Sequence, residues 1–134
     1  MRKFQELPGA TAPRPLAHAH YAGGWTDTVL GHAHSLELFT YPVNGSAADG
    51  HVHTFQGHTH MSAGHFHRFF GSTGPAIALP SGEHIHRVEF SLDDEPFEPK
   101  GNFYKTVLSV KRHVHHFAAA SGPEIGHDLG TWDE

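Results

Sequence analysis

"GHFHRFFGSTGPAIALPSGEHIH" (residues 64–86) begins and ends on a His-x-His pair and carries almost no charge between them. Around such pairs, in HAHSLELF, HVHTF, HFHRFF and HIHRVEF, positions i, i+2 and i+4 hold His, His and an apolar side chain: Leu36, Phe55, Phe69 and Val88. A period of two is the signature of a strand with one face turned inward. The opposite parity carries Ala33, Val52, Phe66 and Ile85, so both faces of these strands are expected to be partly covered. Fifteen Gly and nine Pro in 134 residues leave little room for helices. The fold class that follows is all-β.

The pairs are numerous and in phase. Fourteen of the sixteen histidines form seven pairs, at 18/20, 32/34, 51/53, 58/60, 65/67, 84/86 and 113/115, leaving His116 and His127 as surface candidates. Placing residues 18–50 above 51–83 brings His18 over His51, Gly24 over Gly57, Gly31 over Gly64 and His32 over His65, a unit of 33 residues. A fixed period of this size marks a repeat architecture, here of short hairpins in about 2.5 to 3 copies. The third copy starts at His84 and takes about 15 extra residues before the phase recovers at His113, where Phe117, Gly122, Pro123 and Ile125 fall under Phe69, Gly74, Pro75 and Ile77.

This spacing divides the chain into an extended, Pro-bearing arm (1–17), a His-x-His β-repeat domain (18–126) and a tail (127–134). The domain carries an insertion at about 91–110, which is acidic and Pro-rich at its start and strand-like over FYKTVLSV at its end. The next pair in phase would fall on Trp132 and Glu134, so the last copy is not expected to form a full site.

The composition closes several routes. Nine Lys and Arg against fourteen Asp and Glu give a net charge of −5 with no basic run, which argues against nucleic acid or an anionic membrane as partner. No apolar run approaches a membrane span. The N-terminal segment lacks the apolar stretch of a conventional secretory signal. With no cysteine, disulfides and thiolate metal sites are excluded.

Metal chemistry remains. Residues two apart on a strand lie roughly 6.6 Å from each other and point the same way, so two imidazoles can lean toward one ion at about 2.0–2.1 Å. Two pairs complete a tetrahedron, which suits zinc; three pairs, from three strands or three subunits, supply six nitrogens and suit iron(II), nickel or copper(II). The candidate ligands are His18, His20, His32, His34, His51, His53, His58, His60, His65, His67, His84, His86, His113 and His115. The expected cofactors are divalent transition metal ions, several per chain, with Zn or Cu placed first and Fe or Ni also admitted. If Gln56-Gly57 and Ala63-Gly64 are two-residue turns, His53, His60 and His67 share one row across three strands, and Asp27 and Asp93 occupy the place of His60 in the other copies as possible oxygen ligands. Phe55, Phe69, Phe90 and Phe117 read as core, and the glycines and prolines as turn residues.

The residues also carry a resemblance. The stretch 64–86, with "DGHVHTFQG" before it, resembles the YmaF-like family of small His-rich bacterial proteins, which repeat GHxH units and a TGPAI-x-LP-x-G-x-H-x-H segment. The likeness covers about Gly50–Phe90 and returns weakly at 113–126; it implies a metal role resting on these same histidines. At the level of the short motif alone, the pairs are similar to those of trimeric phage tail-fibre tips, where three chains surround iron ions along the fibre axis.

Three functions follow as expectations. The first is a non-enzymatic, metal-binding structural protein that associates with itself as a homo-oligomer, fibre or filament. The second is a soluble metal buffer or carrier. The third is a cupin-like or hydrolytic metalloenzyme, with Glu83 or Glu37 as general base. The resemblance places the protein in the bacterial cytoplasm, or in a cell-surface, spore-surface or extracellular assembly reached by a non-classical route.

Overall fold

A computed structural model describes residues 17–126; the N-terminal arm apart from Ala17, the tail with His127, and the positions of Trp132 and Glu134 lie outside the described residues. The architecture is all-β, with no helix among the described residues.

The strands are β1 (Ala17–His18), β2 (Tyr21–Trp25), β3 (Ser35–Phe39), β4 (Val43–Asn44), β5 (Thr54–His58), β6 (Arg68–Ser72), β7 (Ala76–Ala78), β8 (His84–Ser91), β9 (Phe97–Lys100), β10 (Phe103–Thr106) and β11 (His116–Ala120). Three antiparallel pairs dominate: β2 with β3, β5 with β6, and β8 with β11. Their registers correspond, from Tyr21↔Phe39 to Trp25↔Ser35, from Thr54↔Ser72 to His58↔Arg68, and from Arg87↔Ala120 to Ser91↔His116. Strands β1 and β4 pair with each other, and β7 adds to the edge of β8.

Backbone hydrogen bonds join these hairpins into a closed ring. At one end the N–H groups of Tyr41, Gly74 and Gly122 donate to the carbonyls of Thr54, Arg87 and Tyr21 at 2.8–2.9 Å. At the other, His60, Asp93 and Asp27 donate to Ser35, Arg68 and His116 at 2.9–3.0 Å. Each hairpin therefore touches the other two, and the third returns to the first within one chain.

Inside the ring lies an apolar belt of Ala22, Leu36, Leu38, Phe55, Phe69, Val88, Leu92 and Phe117, with Phe90 and Ala119 packed against it. The hairpins fill it unequally. In β5/β6 the Phe55 ring lies over Gly71 and the Phe69 ring over Gly57, the residues paired with them across the ladder. A Cβ on either glycine would come within 2.9 Å of that ring. The aromatic volume of the second hairpin thus takes the place of side chains its own glycines lack, and its rings reach Phe90 of the third at 5.0–5.2 Å between centroids.

The inserted segment forms its own hairpin, β9/β10, turning at Gly101, whose φ of 61° suits glycine. The strand expected over 103–110 is present only at Phe103–Thr106, and its partner is the Pro-bearing stretch Phe97–Lys100. Phe66, on the outer parity of its segment, is covered by Phe97 and Tyr104 of this hairpin, and Arg68 stacks 4.5 Å from the Phe97 ring centre.

One expected turn is present and the other is not. Ala63-Gly64 turns with φ of 51° and 80° between the bridged residues Ser62 and His65, as Leu30-Gly31 does between Val29 and His32. Gln56-Gly57 instead lies inside β5, so the row of His53, His60 and His67 does not form. Five residues of ladder separate His53 from the far end of its hairpin, and His53 and His67 belong to opposite ends of the ring.

Candidate metal centres

Each hairpin starts its outgoing strand after one His-x-His pair and its returning strand after another. The pairs preceding β2 and β5 and opening β8 meet at one end; the pairs preceding β3, β6 and β11 meet at the other. Of these, only His84 and His86 sit fully inside a ladder strand; the rest lie in extended segments just before one, with His18 closing β1.

The first cluster holds His18, His20, His51, His53, His84 and His86, whose donor atoms all lie within 4.8 Å of one another. The outer members of the pairs form a triangle, with Nε2 atoms 3.2 Å (His18 to His51), 3.0 Å (His18 to His84) and 3.1 Å (His51 to His84) apart. The inner members, His20, His53 and His86, lie beneath and are fully buried. His20 Nε2 reaches the outer triangle at His84, 3.1 Å away.

The second cluster holds His32, His34, His67, His113 and His115, again within 4.8 Å. His65 stands outside that set of five but beside it, its Nε2 lying 3.2 Å from those of both His32 and His34. His113 Nε2 stands 3.1 Å from His67 and from His32, and His115 Nε2 3.3 Å from His32. Here too the inner members His34, His67 and His115 are fully buried.

The second ring nitrogen of each histidine decides what the first can do. Nδ1 of His20, His53 and His86 donates to the carbonyls of Gly122, Tyr41 and Gly74, all at 2.9 Å. Nδ1 of His34, His67 and His115 donates to those of His60, Asp93 and Asp27 at 2.9–3.1 Å. His65 and His113 bond to the carbonyls two residues before them, Ala63 and Lys111, and His51 bonds to Asp49 Oδ1 at 2.6 Å, while His84 Nδ1 makes no hydrogen bond and has Glu124 Oε2 3.2 Å away. A carbonyl or carboxylate only accepts, so the proton of a neutral ring is held on Nδ1 and Nε2 carries a lone pair.

Between two rings held in this way, as His34 and His65 are, the short Nε2 to Nε2 contact is therefore not a hydrogen bond. It is two lone pairs converging on one point, and His53 Nε2 and His86 Nε2 have no hydrogen-bond partner at all. A cation at the centre of the first cluster would accept all six of its rings, and one at the second all five grouped there, with His65 at its edge. An octahedron with edges of 3.0–3.3 Å places its centre about 2.1–2.3 Å from each vertex, a distance suited to a divalent transition ion bound by imidazole.

Hydroxyl groups hold the inner histidines in place. Thr40, Thr73 and Ser121 accept the backbone N–H of His20, His53 and His86 at 2.9–3.1 Å, and Thr26 and Thr59 accept those of His34 and His67 at 3.1 Å. In the third hairpin Leu92 takes the place of the hydroxyl and bonds only through its backbone, to the His115 carbonyl at 2.9 Å. These residues were not among the candidates. Their signal was present, since Thr26 lies over Thr59 and Thr40 over Thr73 in the 33-residue alignment.

Burial makes these imidazoles hard to protonate. Desolvation, with the neighbouring rings acting in the same direction and the carbonyl bond opposing, lowers His20, His34 and His53 from 6.5 to about 4 and His67 to about 3. His65, His84, His86 and His115 are lowered as well, burial again leading. In these eight rings burial favours the neutral form, which is the ligating one.

Twelve of the fourteen candidate ligands are thus brought together, and His58 and His60 are not. His60 is exposed and meets Ser35 Oγ at 2.7 Å; what it supplies to the second cluster is its carbonyl, on His34. Asp27 and Asp93 act in the same way, through carbonyls to His115 and His67 and not as oxygen ligands. His58 packs against Phe66 and Tyr104 beside an outer cleft. Glu37 accepts from the Tyr21 hydroxyl and Glu83, next to His84 in the chain, from that of Ser81, both on the exposed surface. His116 is a surface residue paired with Asp27.

The fold and these clusters define a class: an all-β, histidine-rich domain whose buried imidazole groups can hold metal ions. A family model described as spore germination protein GerY/YamF matches residues 3–71 and 42–95, and the chain belongs to this family, YmaF. No curated protein and no solved structure matches the chain.

Proposed function

We propose that this protein is a non-enzymatic metal-binding scaffold that holds two transition metal ions per chain, one at each end of the hairpin ring, each in a shell of six imidazoles. The observation that carries this reading is the convergence of Nε2 atoms at 3.0–3.3 Å, with the protons of the inner rings held on Nδ1 by backbone carbonyls. Six nitrogen donors favour an ion that accepts octahedral or tetragonal geometry, iron(II), nickel(II) or copper(II), over zinc, whose structural sites are tetrahedral. The ion staples three hairpins whose shared apolar belt is small. A filled six-nitrogen shell leaves no position for a substrate, and inner histidines without solvent exposure favour a retained ion over a rapidly exchanged cargo.

Both shells draw on one chain, so coordination as proposed needs no second copy. Self-association is a separate part of the reading, supported by the exposure of Trp25, Phe39, Phe70 and Phe103, and light scattering of the purified protein checks it. The family description supports placing this scaffold in the spore, in its assembly or its germination. Elemental analysis with native mass spectrometry tests the core of the proposal: two ions per chain are expected, and a chain isolated under metal-replete conditions with none sinks it.

A further inference from the structure

The two clusters share their donor set but not what stands behind it. Behind the first, two carboxylates face the outer triangle: Asp49 Oδ1 is 2.6 Å from His51 Nδ1, and Glu124 Oε2 is 3.2 Å from His84 Nδ1 while Glu124 Oε1 accepts the His84 backbone N–H at 2.9 Å. Glu124 is itself largely buried, its side chain 14% exposed. Behind the second, the outer histidines His65 and His113 bond only to neutral carbonyls. A carboxylate nearby, Asp27, lies 3.7 Å from His115 Nδ1 and is taken up by His116, whose backbone N–H it accepts at 2.8 Å.

We propose that the two centres are graded: the cluster of His18, His20, His51, His53, His84 and His86 binds its ion more tightly and fills first, with Glu124 and, less strongly, Asp49 as the positioning residues that set the difference. This rests on the function proposed above. A divalent ion among six neutral imidazoles carries its whole charge into a buried site. Two carboxylates beside the ligands' far nitrogens offset that charge: Asp49 bonds His51 Nδ1, raising its basicity and fixing its ring with Nε2 toward the ion, while Glu124 acts on His84 through its charge 3.2 Å from Nδ1 and through its bond to the backbone N–H. Asp49 counts for less because its side chain is 41% exposed and its field is screened. The same two carboxylates also give the first centre the greater tolerance for an ion of higher charge.

The test uses the metal-stripped full-length chain titrated with nickel(II) against a competing chelator, counting ions per chain by native mass spectrometry. The wild-type chain is expected to pass through a dominant one-ion species, with two steps separated by about tenfold or more in affinity. Glu124→Gln is isosteric and keeps an acceptor for the His84 N–H, and it should weaken the first step by about 10- to 100-fold, bringing the two together. Asp27→Asn should leave the first step unchanged. Two steps with the statistical spacing of equal sites in the wild type, or a Glu124→Gln chain that titrates like the wild type, would overturn the grading. Binding of no nickel by any variant overturns the metal reading itself, and the grading with it.

Discussion

His53 and Phe55 stand two residues apart on one segment, point to the same side and are equally sealed from solvent, yet they are held there by different forces. Phe55 belongs to the belt, where burial of an aromatic ring is favourable in itself. His53 belongs to an end cluster, where a polar nitrogen is buried without a partner, an arrangement that is costly until something accepts its lone pair. The belt can form from the chain alone. On the proposed reading the ends need an ion, and that difference separates the responses of the two layers to perturbation.

Stripping metal with a chelator at pH 7 should produce the largest effect, because a structural ion contributes on the order of 10 kcal/mol. The melting temperature is expected to fall steeply, and the loss should be reversed by adding back nickel(II) or iron(II). An unchanged melting temperature after complete metal removal would break the distinction between ends and belt. Acid should act on the ends next. His20, His34, His53 and His67 titrate at about 3 to 4 in the folded chain against 6.5 unfolded, so below pH 6.5 the unfolded state takes up protons first. Stability is therefore fully present above pH 6.5 and declines as pH falls toward 4. Urea melts of the metal-free chain across this range measure the slope, and a flat profile contradicts the burial of neutral rings.

Phe55→Ala probes the belt by itself. It should cost about 3–5 kcal/mol in urea denaturation, leaving the metal count per chain as in the wild type. The smallest effect is expected from the double substitution His58→Ala and His60→Ala, which removes a pair standing outside both clusters. A change within about 0.5 kcal/mol and an unaltered metal count would separate position from composition, since these two histidines carry the same motif as the other twelve.

That pair also shows where sequence reading stopped. Period-two alternation located Leu36, Phe55, Phe69, Val88 and Phe117 on the inner face, and the 33-residue alignment placed the ligands of each end in register. The spacing of 33 already linked His18 with His51 and His84, the outer triangle of one cluster. It could not link them in space, because ring closure depends on hydrogen bonds such as Gly122 to Tyr21, which span nearly the whole domain. The row proposed for His53, His60 and His67 took Gln56-Gly57 for a turn, when Gly57 is needed inside a strand to admit the Phe69 ring. The roles of Asp27, His60 and Asp93 were hidden for a different reason. They act through backbone carbonyls, and a carbonyl leaves no trace in residue type. Asp49 and Glu124 do not recur at the 33-residue spacing, and only their geometry against His51 and His84 reveals them.

X-ray absorption at the metal edge of the isolated protein tests the central claim most directly. The account predicts two ions per chain, each with a first shell of six nitrogen scatterers at about 2.1–2.3 Å and the outer-shell pattern of imidazole rings. A four-coordinate shell, or a shell dominated by oxygen, would contradict it.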